Sequence, residues 1–454
     1  MRSALALTVL GGAQEIGANS YHLDLGGSGL LLDAGIHPKR QGREALPGFG
    51  AVKGEVDAIL ISHSHLDHVG ALPVALERFP AAKVYMTGPS ALLAIRMLRN
   101  AVAVSRNRDG TSLFSHDHVE WVEQVVSTLE PDRAFTLDTV GGRPTIALTN
   151  AGHVLGAIGV LVEHRDRRFF YTGDTCANGQ YICGPARYPQ PPLDLLLMDS
   201  THGADPEPDL GRDRRSFGRA VTDLGRFITT VASRGGSVLL PVFAMGRTQE
   251  ILGVLYELGR RGRIPRLPVH ISGLAQAVCR IYDTTRRDSD RRRPTLRLED
   301  LGYRILDPDS IADPAFLQEP RILAVTSGMM FPNTSSNLLA QRMLPDPRHG
   351  VAFVGFLDPD SPGYRVARAR AGEEVSLGAT PGEGPRVPVA CDLCHLGFTA
   401  HSRASQLIRT ACELKPRHVV LVHGDVAATE TLAERMREAG LTVTVAEPNT
   451  VVEF

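Results

Sequence analysis

Short apolar runs separated by turn residues dominate the first part of the chain. Leu30-Leu31-Leu32 ahead of Asp33-Ala34-Gly35, Ala58 to Ile61, Val84-Tyr85-Met86, Phe169-Phe170-Tyr171 and Leu195-Leu196-Leu197 read as buried strands. The apolar start from Ala4 to Leu10 ends at Gly11-Gly12, which reads as the turn after a first strand. Between these runs, Leu72 to Arg78, Ala91 to Val104 and Val119 to Leu129 carry helical spacing. The texture changes over 204–216, where Asp205-Pro206-Glu207-Pro208-Asp209 is followed by Arg212, Arg214 and Arg215, and this marks a boundary. Beyond Phe217 the alternation resumes, with a strand from Ser237 to Pro241 and a helix from Thr248 to Leu258. The charge run Arg286 to Arg293 reads as a solvated loop. A loose stretch, Pro381-Gly382-Glu383-Gly384-Pro385, precedes a last strand Val419 to Val422 and a helix Ala427 to Ala439.

Composition narrows the classes. The chain has 454 residues, 43% hydrophobic and 22% charged, with a formal net charge of -1. That apolar content excludes disorder, and the length calls for at least two domains. No apolar run is long enough to span a bilayer, so no membrane role is expected. With no overall basic character, nucleic-acid contact has to come from local patches. Six cysteines in so long a chain do not make a disulfide framework. Together with the lack of a clear cleavage region, this predicts a cytoplasmic protein. Lysine occurs only at Lys39, Lys53, Lys83 and Lys415, a bias that genome base composition accounts for before phosphate recognition does.

The residues that carry chemistry begin with His63-Ser64-His65-Leu66-Asp67-His68, directly after the apolar run ending in Ser62. Imidazole and carboxylate together suit zinc, and the end of a strand is where α/β folds build sites. On an extended segment His63 and His65 project alike, while Asp67 and His68 lie past the bend, so one loop can feed two neighbouring metals. Three further segments place a ligand type at a strand end or beside glycine: Gly152-His153, Gly173-Asp174 and His423-Gly424. By contrast, His116-Asp117-His118 opens a helical stretch and reads as a helix-start carboxylate with surface histidines. Cys391-x-x-Cys394-His395 has no second cysteine pair at fitting spacing and reads as ordinary core or loop cysteines.

These motifs resemble those of the metallo-β-lactamase fold and, within it, the β-CASP nucleases. The resemblance runs from Leu10-Gly11-Gly12-Ala13-Gln14-Glu15-Ile16-Gly17 to His423-Gly424-Asp425. It implies an α/β protein, a four-layer αββα sandwich with an inserted α/β β-CASP domain, which the long interval between Asp174 and His423 accommodates. The expected parts are a first portion of the metallo-β-lactamase domain over 1–205, the inserted domain over 206–388, and the remainder over 389–454. One zinc would be held by His63, His65 and His153, and a second by Asp67, His68 and His423. Asp174 would bridge the two, with manganese as the other candidate metal. Asp199 and His401 match the family's first and second extra motifs, and His423 the third, where histidine implies RNA.

The activity so implied is a zinc-dependent ribonuclease that hydrolyses phosphodiester bonds of single-stranded RNA with a metal-bridging hydroxide. Asp67 and Asp174 would be catalytic through the metals. Asp199 would orient His68 or His423, and His401 would contact the scissile phosphate and help protonate the leaving oxygen. Thr399, and Arg247 at a helix start, would grip phosphate. Two stretches depart from the family pattern: Phe331-Pro332-Asn333-Thr334 (331–334), where relatives carry paired glycines, and Asp360-Ser361-Pro362-Gly363-Tyr364-Arg365 (360–365). The short tail past His423 is similar to that of the compact ribonucleases related to the nuclease subunit of cleavage and polyadenylation specificity factor. Monomer and homodimer stay open, as do internal cutting and 5′ trimming. So do two other readings: a non-catalytic RNA-processing partner subunit, and a binuclear zinc phosphodiesterase acting on DNA ends or small phosphodiesters.

Overall fold

The computed structural model describes residues 5–109, 112–205 and 213–454. It divides into two units, one comprising Met1–Glu207, Arg287–Arg291 and Ala400–Phe454, the other Pro208–Arg286 and Arg292–Thr399.

The first unit holds two seven-stranded sheets. One contains β1 (Ala6–Gly11), β2 (Ser20–Asp24), β3 (Ser28–Leu32), β4 (Glu55–Leu60), β5 (Lys83–Thr87) and β6 (Val126–Leu129), in that spatial order. Its strands are antiparallel from β1 to β3 and parallel from β3 to β6. The other sheet contains β7 (Phe135–Thr136), β8 (Thr145–Asn150), β9 (Ile158–His164), β10 (Arg167–Tyr171) and β11 (Leu193–Asp199), and is extended by two late strands. Four helices accompany the first sheet: α1 (Leu66–Val69), α2 (Leu72–Arg78), α3 (Gly88–Asp109) and α4 (His116–Val125).

Continuous apolar runs form these strands because both faces are covered. In β3, Leu30 and Leu32 pack against the opposite sheet's Val160, Phe169 and Leu197, whereas Leu31 points to the helix side with Leu72 and Leu98. In β4, Ala58 and Leu60 join the first group and Ile59 the second. This two-residue alternation separates an inter-sheet core from an outer helical layer. Truncating a residue such as Leu31 to alanine would cost about 2–5 kcal/mol.

The second unit is built on a six-stranded parallel sheet. Its members are β12 (Val238–Pro241), β13 (Val269–Ile271), β14 (Arg304–Ile305), β15 (Ile322–Val325), β16 (Gly350–Phe353) and, after the small hairpin β17 (Glu374–Ser376) and β18 (Arg386–Pro388), β19 (Asp392–His395). Its spatial order is β14-β13-β15-β12-β16-β19. The helices are α5 (Asp213–Ser233), α6 (Arg247–Arg260), α7 (Gly273–Thr284), α8 (Ser335–Met343) and α9 (Pro362–Arg368).

The chain then returns to the first unit with α10 (Ala404–Leu414), β20 (Pro416–Val422), α11 (Val426–Glu438), β21 (Val443–Val445) and β22 (Val451–Glu453). Strands β20 and β21 extend the second sheet beyond β11, and β22 pairs with β1. Leu407, Ala411, Leu432 and Met436 of α10 and α11 cover Leu196 and Met198 of β11, completing the αββα layering. No helix among the described residues is long and apolar enough to cross a membrane.

Several local expectations are corrected. The helix expected over Val119–Leu129 stops at Val125, and Val126–Leu129 instead pairs in parallel with β5. The β-branched Val126 and Thr128 favour the strand, and the partner that decides it is remote in sequence. The charge run is not wholly solvated. Arg291 is buried, Arg187 bridges to Asp290 at 3.0 Å, and Gly184 donates its N–H to the Asp290 carbonyl at 3.0 Å. Strand β19 pairs with β16, and the second unit runs to Thr399. Residues 206–212 of the boundary stretch lie outside the described residues. At the start of α4, Ser115 and His118 form a reciprocal cap, and His118 Nε2 sits 2.9 Å from Glu77.

Candidate metal centre

Seven potential metal donors meet at one edge of the first unit, and strand direction explains why. Strands β3 and β4 are parallel, and β8, β10, β11 and β20 all run in one direction. The segment with His63, His65, Asp67 and His68 follows β4, His153 follows β8, Asp174 follows β10, Asp199 ends β11, and His423 follows β20. His401 stands just before α10. The start of α1, which carries Asp67, is seated on Gly35, where a Cβ would lie 1.6 Å from the Asp67 carbonyl oxygen.

The donor atoms cluster as His63, His65, His153 and Asp174, as Asp67, His68 and His423, and as Asp174, Asp199, His401 and His423, so that Asp174 joins the first set to the third and His423 joins the third to the second. In the first, His65 Nδ1 lies 3.1 Å from His63 Nε2 and 3.0 Å from His153 Nε2. Asp174 Oδ2 is 3.6 Å from both of those Nε2 atoms. A zinc tetrahedron with bonds near 2.05 Å has edges of about 3.3 Å, so this spacing fits one ion. In the second, Asp67 Oδ2 is 3.2 Å from His423 Nε2 and 3.8 Å from His68 Nε2, while Asp174 Oδ1 is 3.3 Å from His68 Nε2. Although Asp174 Oδ1 is buried among these nitrogens, it has no hydrogen-bond partner. An orphaned carboxylate oxygen between imidazoles is what a shared cation would satisfy.

Second contacts fix which nitrogen His153 and His68 present. His153 Nδ1 donates to the Ala400 carbonyl at 3.0 Å, leaving Nε2 with a lone pair for the centre. His68 Nδ1 donates to Asp33 Oδ2 at 2.8 Å, with the same result. His63 Nδ1 is 3.1 Å from Ser62 Oγ. At His423, Nδ1 lies 2.9 Å from Thr201 Oγ1, 3.2 Å from Asp174 Oδ1 and 3.5 Å from Asp199 Oδ1, while Nε2 faces Asp67. His423 also has a φ of 54°, rare for a residue with a side chain, and its N–H is tied to the Gly12 carbonyl at 2.8 Å.

Burial, reinforced by neighbouring imidazoles, holds His63 and His153 well below the ordinary histidine range, and burial lowers His65 as well. All three are therefore neutral, as ligands must be. Burial works against charge on His423, but the Asp174, Asp199 and Asp67 carboxylates outweigh it and push it up to about 10. Asp174, Asp67 and Asp33 likewise overcome burial and raise His68. Burial would raise Asp174 itself, yet the imidazoles of His423, His68 and His63 hold it well below the usual carboxylate range. The second group thus attracts positive charge strongly.

Asp199 has a different surrounding. It accepts from Thr201 N at 2.8 Å, Thr201 Oγ1 at 2.6 Å and His401 Nδ1 at 2.8 Å. Its lone pairs are taken, so although Asp174, Asp199, His401 and His423 also lie close enough to surround an ion, the geometry suits orientation of His401 better. The expected contact from Asp199 to His68 does not form, since Asp33 occupies that place. Sequence reading passed over Asp33 because a carboxylate between an apolar strand and Ala34-Gly35 looks like a turn residue. His401 Nε2 faces Asp174 Oδ2 at 3.9 Å, and its ring centroid is 4.5 Å from that of His153. Arg247 and Thr399 belong to the second unit and are not among these donors.

Comparison with known proteins agrees with this picture. Residues 14–206 match the metallo-beta-lactamase superfamily, 248–366 the Beta-Casp domain, and 386–446 the Zn-dependent metallo-hydrolase RNA specificity domain. The chain is 30% identical to "Endoribonuclease YSH1" of Mycosarcoma maydis, over 93% of this chain and 47% of that protein. It is 28% identical to "Cleavage and polyadenylation specificity factor subunit 3" of Dictyostelium discoideum, over 98% and 56%. It is 27% identical to "Transcription termination factor FttA" of Methanocaldococcus jannaschii, over 95% and 69%. The chain spans about half the length of the first two relatives. A crystal structure of a protein of unknown function from Enterococcus faecalis V583 shares the fold with a TM-score of 0.59 at 12% identity, over 100% of both chains. With its paired donor groups and the three matched segments in this order, the chain belongs to the β-CASP branch of the metallo-β-lactamase superfamily.

Proposed function

We propose that the protein is a metal-dependent ribonuclease that hydrolyses phosphodiester bonds of single-stranded RNA in the cytoplasm. The observation that carries this reading is the position of Asp174, with Oδ2 3.6 Å from His63 and His153 Nε2 and Oδ1 3.3 Å from His68 Nε2, and with His401 held beside it by Asp199. His63, His65, His153 and Asp174 would hold one ion, and Asp67, His68, His423 and Asp174 the other, zinc being the first candidate for this nitrogen-rich set and manganese the second. Two such ions supply Lewis acidity toward a phosphodiester and a water acidic enough to react at neutral pH.

The chain's own groups do the rest. Asp33 and the Ala400 carbonyl fix the tautomers of His68 and His153, and Asp199 fixes the ring of His401. His401, with Nε2 toward the centre, delivers a proton to the leaving 5′ or 3′ oxygen as the P–O bond breaks. Thr399 and Arg247 would contact phosphates of the bound strand. The names of the relatives, an endoribonuclease among them, support RNA as the substrate.

The test is an RNA labelled at its 5′ end and a DNA of the same sequence, each incubated with the full chain with and without chelator. Chelator-sensitive cutting of RNA alone supports the proposal, and the fate of the label distinguishes internal cutting from 5′ trimming. Cutting of DNA alone, or cutting that persists after metal removal, would overturn it.

A further inference from the structure

In the second unit the direction of chain travel reverses at one place in the sheet. From β12 the chain passes through α6 to β13 on one side, whereas from β15 it passes through α8, beyond β12, to β16 on the other. Crossovers between parallel strands are right-handed, so α6 and α8 lie on opposite faces and the loops leaving β12 and β15 part company. Open parallel sheets bind ligands in the crevice that such a reversal leaves at the C-terminal strand ends.

The loops at this crevice expose aromatic rings. Phe243 follows β12 and is 37% exposed, Phe331 follows β15 at 43%, and Phe356 follows β16 at 40%. Because β12 neighbours both β15 and β16, the three loops stand on consecutive strands about 4.8 Å apart. The strands end at nearly one level, with Pro241 opposite Val325 and Leu239 opposite Val351. Two of the loops touch: a Cβ on Gly328 would be 3.1 Å from ring carbons Cδ2 and Cε2 of Phe243.

The exposure of Phe331 is built in. Met330 and Asn333 around it have φ of 57° and 62°, in the left-handed region that side chains disfavour. Met330 is fully buried, so this turn sends one side chain into the core and the next ring to solvent. The Phe331 N–H donates to Ser327 Oγ at 3.0 Å, and its carbonyl accepts from Thr334 Oγ1 at 2.6 Å. Arg247 opens α6 as a buried side chain, with its Nε 3.7 Å from where a Gly355 side chain would begin.

We infer that this crevice grips single-stranded RNA by its bases, which stack on Phe243, Phe331 and Phe356. The inference rests on the ribonuclease reading and adds to it the surface and chemistry of substrate grip. Stacking on π-faces is tolerant of base identity, so broad sequence tolerance follows. It also gives a purpose to the segment 331–334, where a ring stands in place of the glycines that the family resemblance leads one to expect.

Fluorescence anisotropy of the full chain would compare a short labelled oligoadenylate with an abasic oligomer of equal length. Phe331→Ala and Phe356→Ala should each weaken oligoadenylate binding by about tenfold. Binding of the abasic oligomer and the salt slope should not change, because no phosphate contact is removed. Phe331→Tyr should restore affinity. In a Trp121→Phe background, which removes the chain's one tryptophan, the indole of Phe331→Trp should be quenched by oligoadenylate and not by the abasic oligomer. Wild-type affinity in the alanine variants, or equal loss on both oligomers, would overturn the inference while leaving the nuclease intact. A wild-type chain that binds and cuts no RNA would remove both readings.

Discussion

Asp33 Oδ2 lies 2.8 Å from His68 Nδ1, with both side chains fully buried. The same carboxylate accepts from Ser62 N at 2.6 Å, Ser62 Oγ at 2.7 Å and Tyr171 OH at 2.7 Å. It therefore ties the ends of β3, β4 and β10 together under the metal centre while fixing the tautomer of one ligand. A buried carboxylate is tolerable only when its oxygens are satisfied in this way.

Asp33→Asn should keep the shape but present an N–H, or a weaker acceptor, to His68. Metal affinity of the second donor group should fall by about 10–100-fold, measured by competition with a chelator. Asp33→Ala should also lower stability by about 3–5 kcal/mol, since it strands several buried donors. Unchanged affinity in both variants would show that His68 does not depend on Asp33.

Asp199 holds His401 Nδ1 at 2.8 Å. His401→Ala should therefore retain its full metal content by mass spectrometry while kcat for RNA cleavage drops by about 10²–10⁴. Asp199→Asn should lower kcat in the same direction, because the ring loses its orienting acceptor. A variant at 401 that loses metal would move His401 into the ligand set.

How much of this could be read from the chain depended on distance along it. The cluster His63 to His68 was legible because its ligands are adjacent and follow an apolar run. His153, Asp174 and His423 were legible only through their order and a family resemblance, since each alone looks like a turn residue. Asp33 was not, because its partners Ser62 and Tyr171 lie 29 and 138 positions away and only the sheet brings them together. Val126–Leu129 failed for the same reason, as helical spacing continued locally while β5 supplied the deciding partner. Phe331 looked like a departure from a pattern, and its exposure and left-handed neighbours gave it a physical meaning.

Asp174 offers Oδ2 to one donor group and Oδ1 to the other. Asp174→Asn should weaken metal binding at both, so that titration no longer shows a tight stoichiometric phase. Asp67→Ala should remove one ion and leave the other, because Asp67 belongs to the second group alone. Tight binding of two ions by Asp174→Asn would mean that the groups load independently.

Cys391 and Cys394 resemble a metal or redox pair by spacing, and their surroundings argue against both roles. Cys391 packs in the core with Leu339, Met343 and Val366 of α8 and α9, whereas Cys394 senses Asp223 of α5. Burial pushes each thiol up to about 12. At pH 8 only about one in ten thousand of either would be thiolate, too little for ready nucleophilic attack. Iodoacetamide at pH 8 should therefore label exposed Cys412 well before these two. Raising the pH lifts the thiolate fraction about tenfold per unit until it nears 12, so labelling of Cys391 and Cys394 should climb steeply between pH 8 and 10 in folded protein. Chelator should leave those rates unchanged, since no metal protects the sulfurs. Peptide mapping that showed chelator-dependent labelling, or a disulfide between the two after mild oxidation, would restore the pair as a functional site.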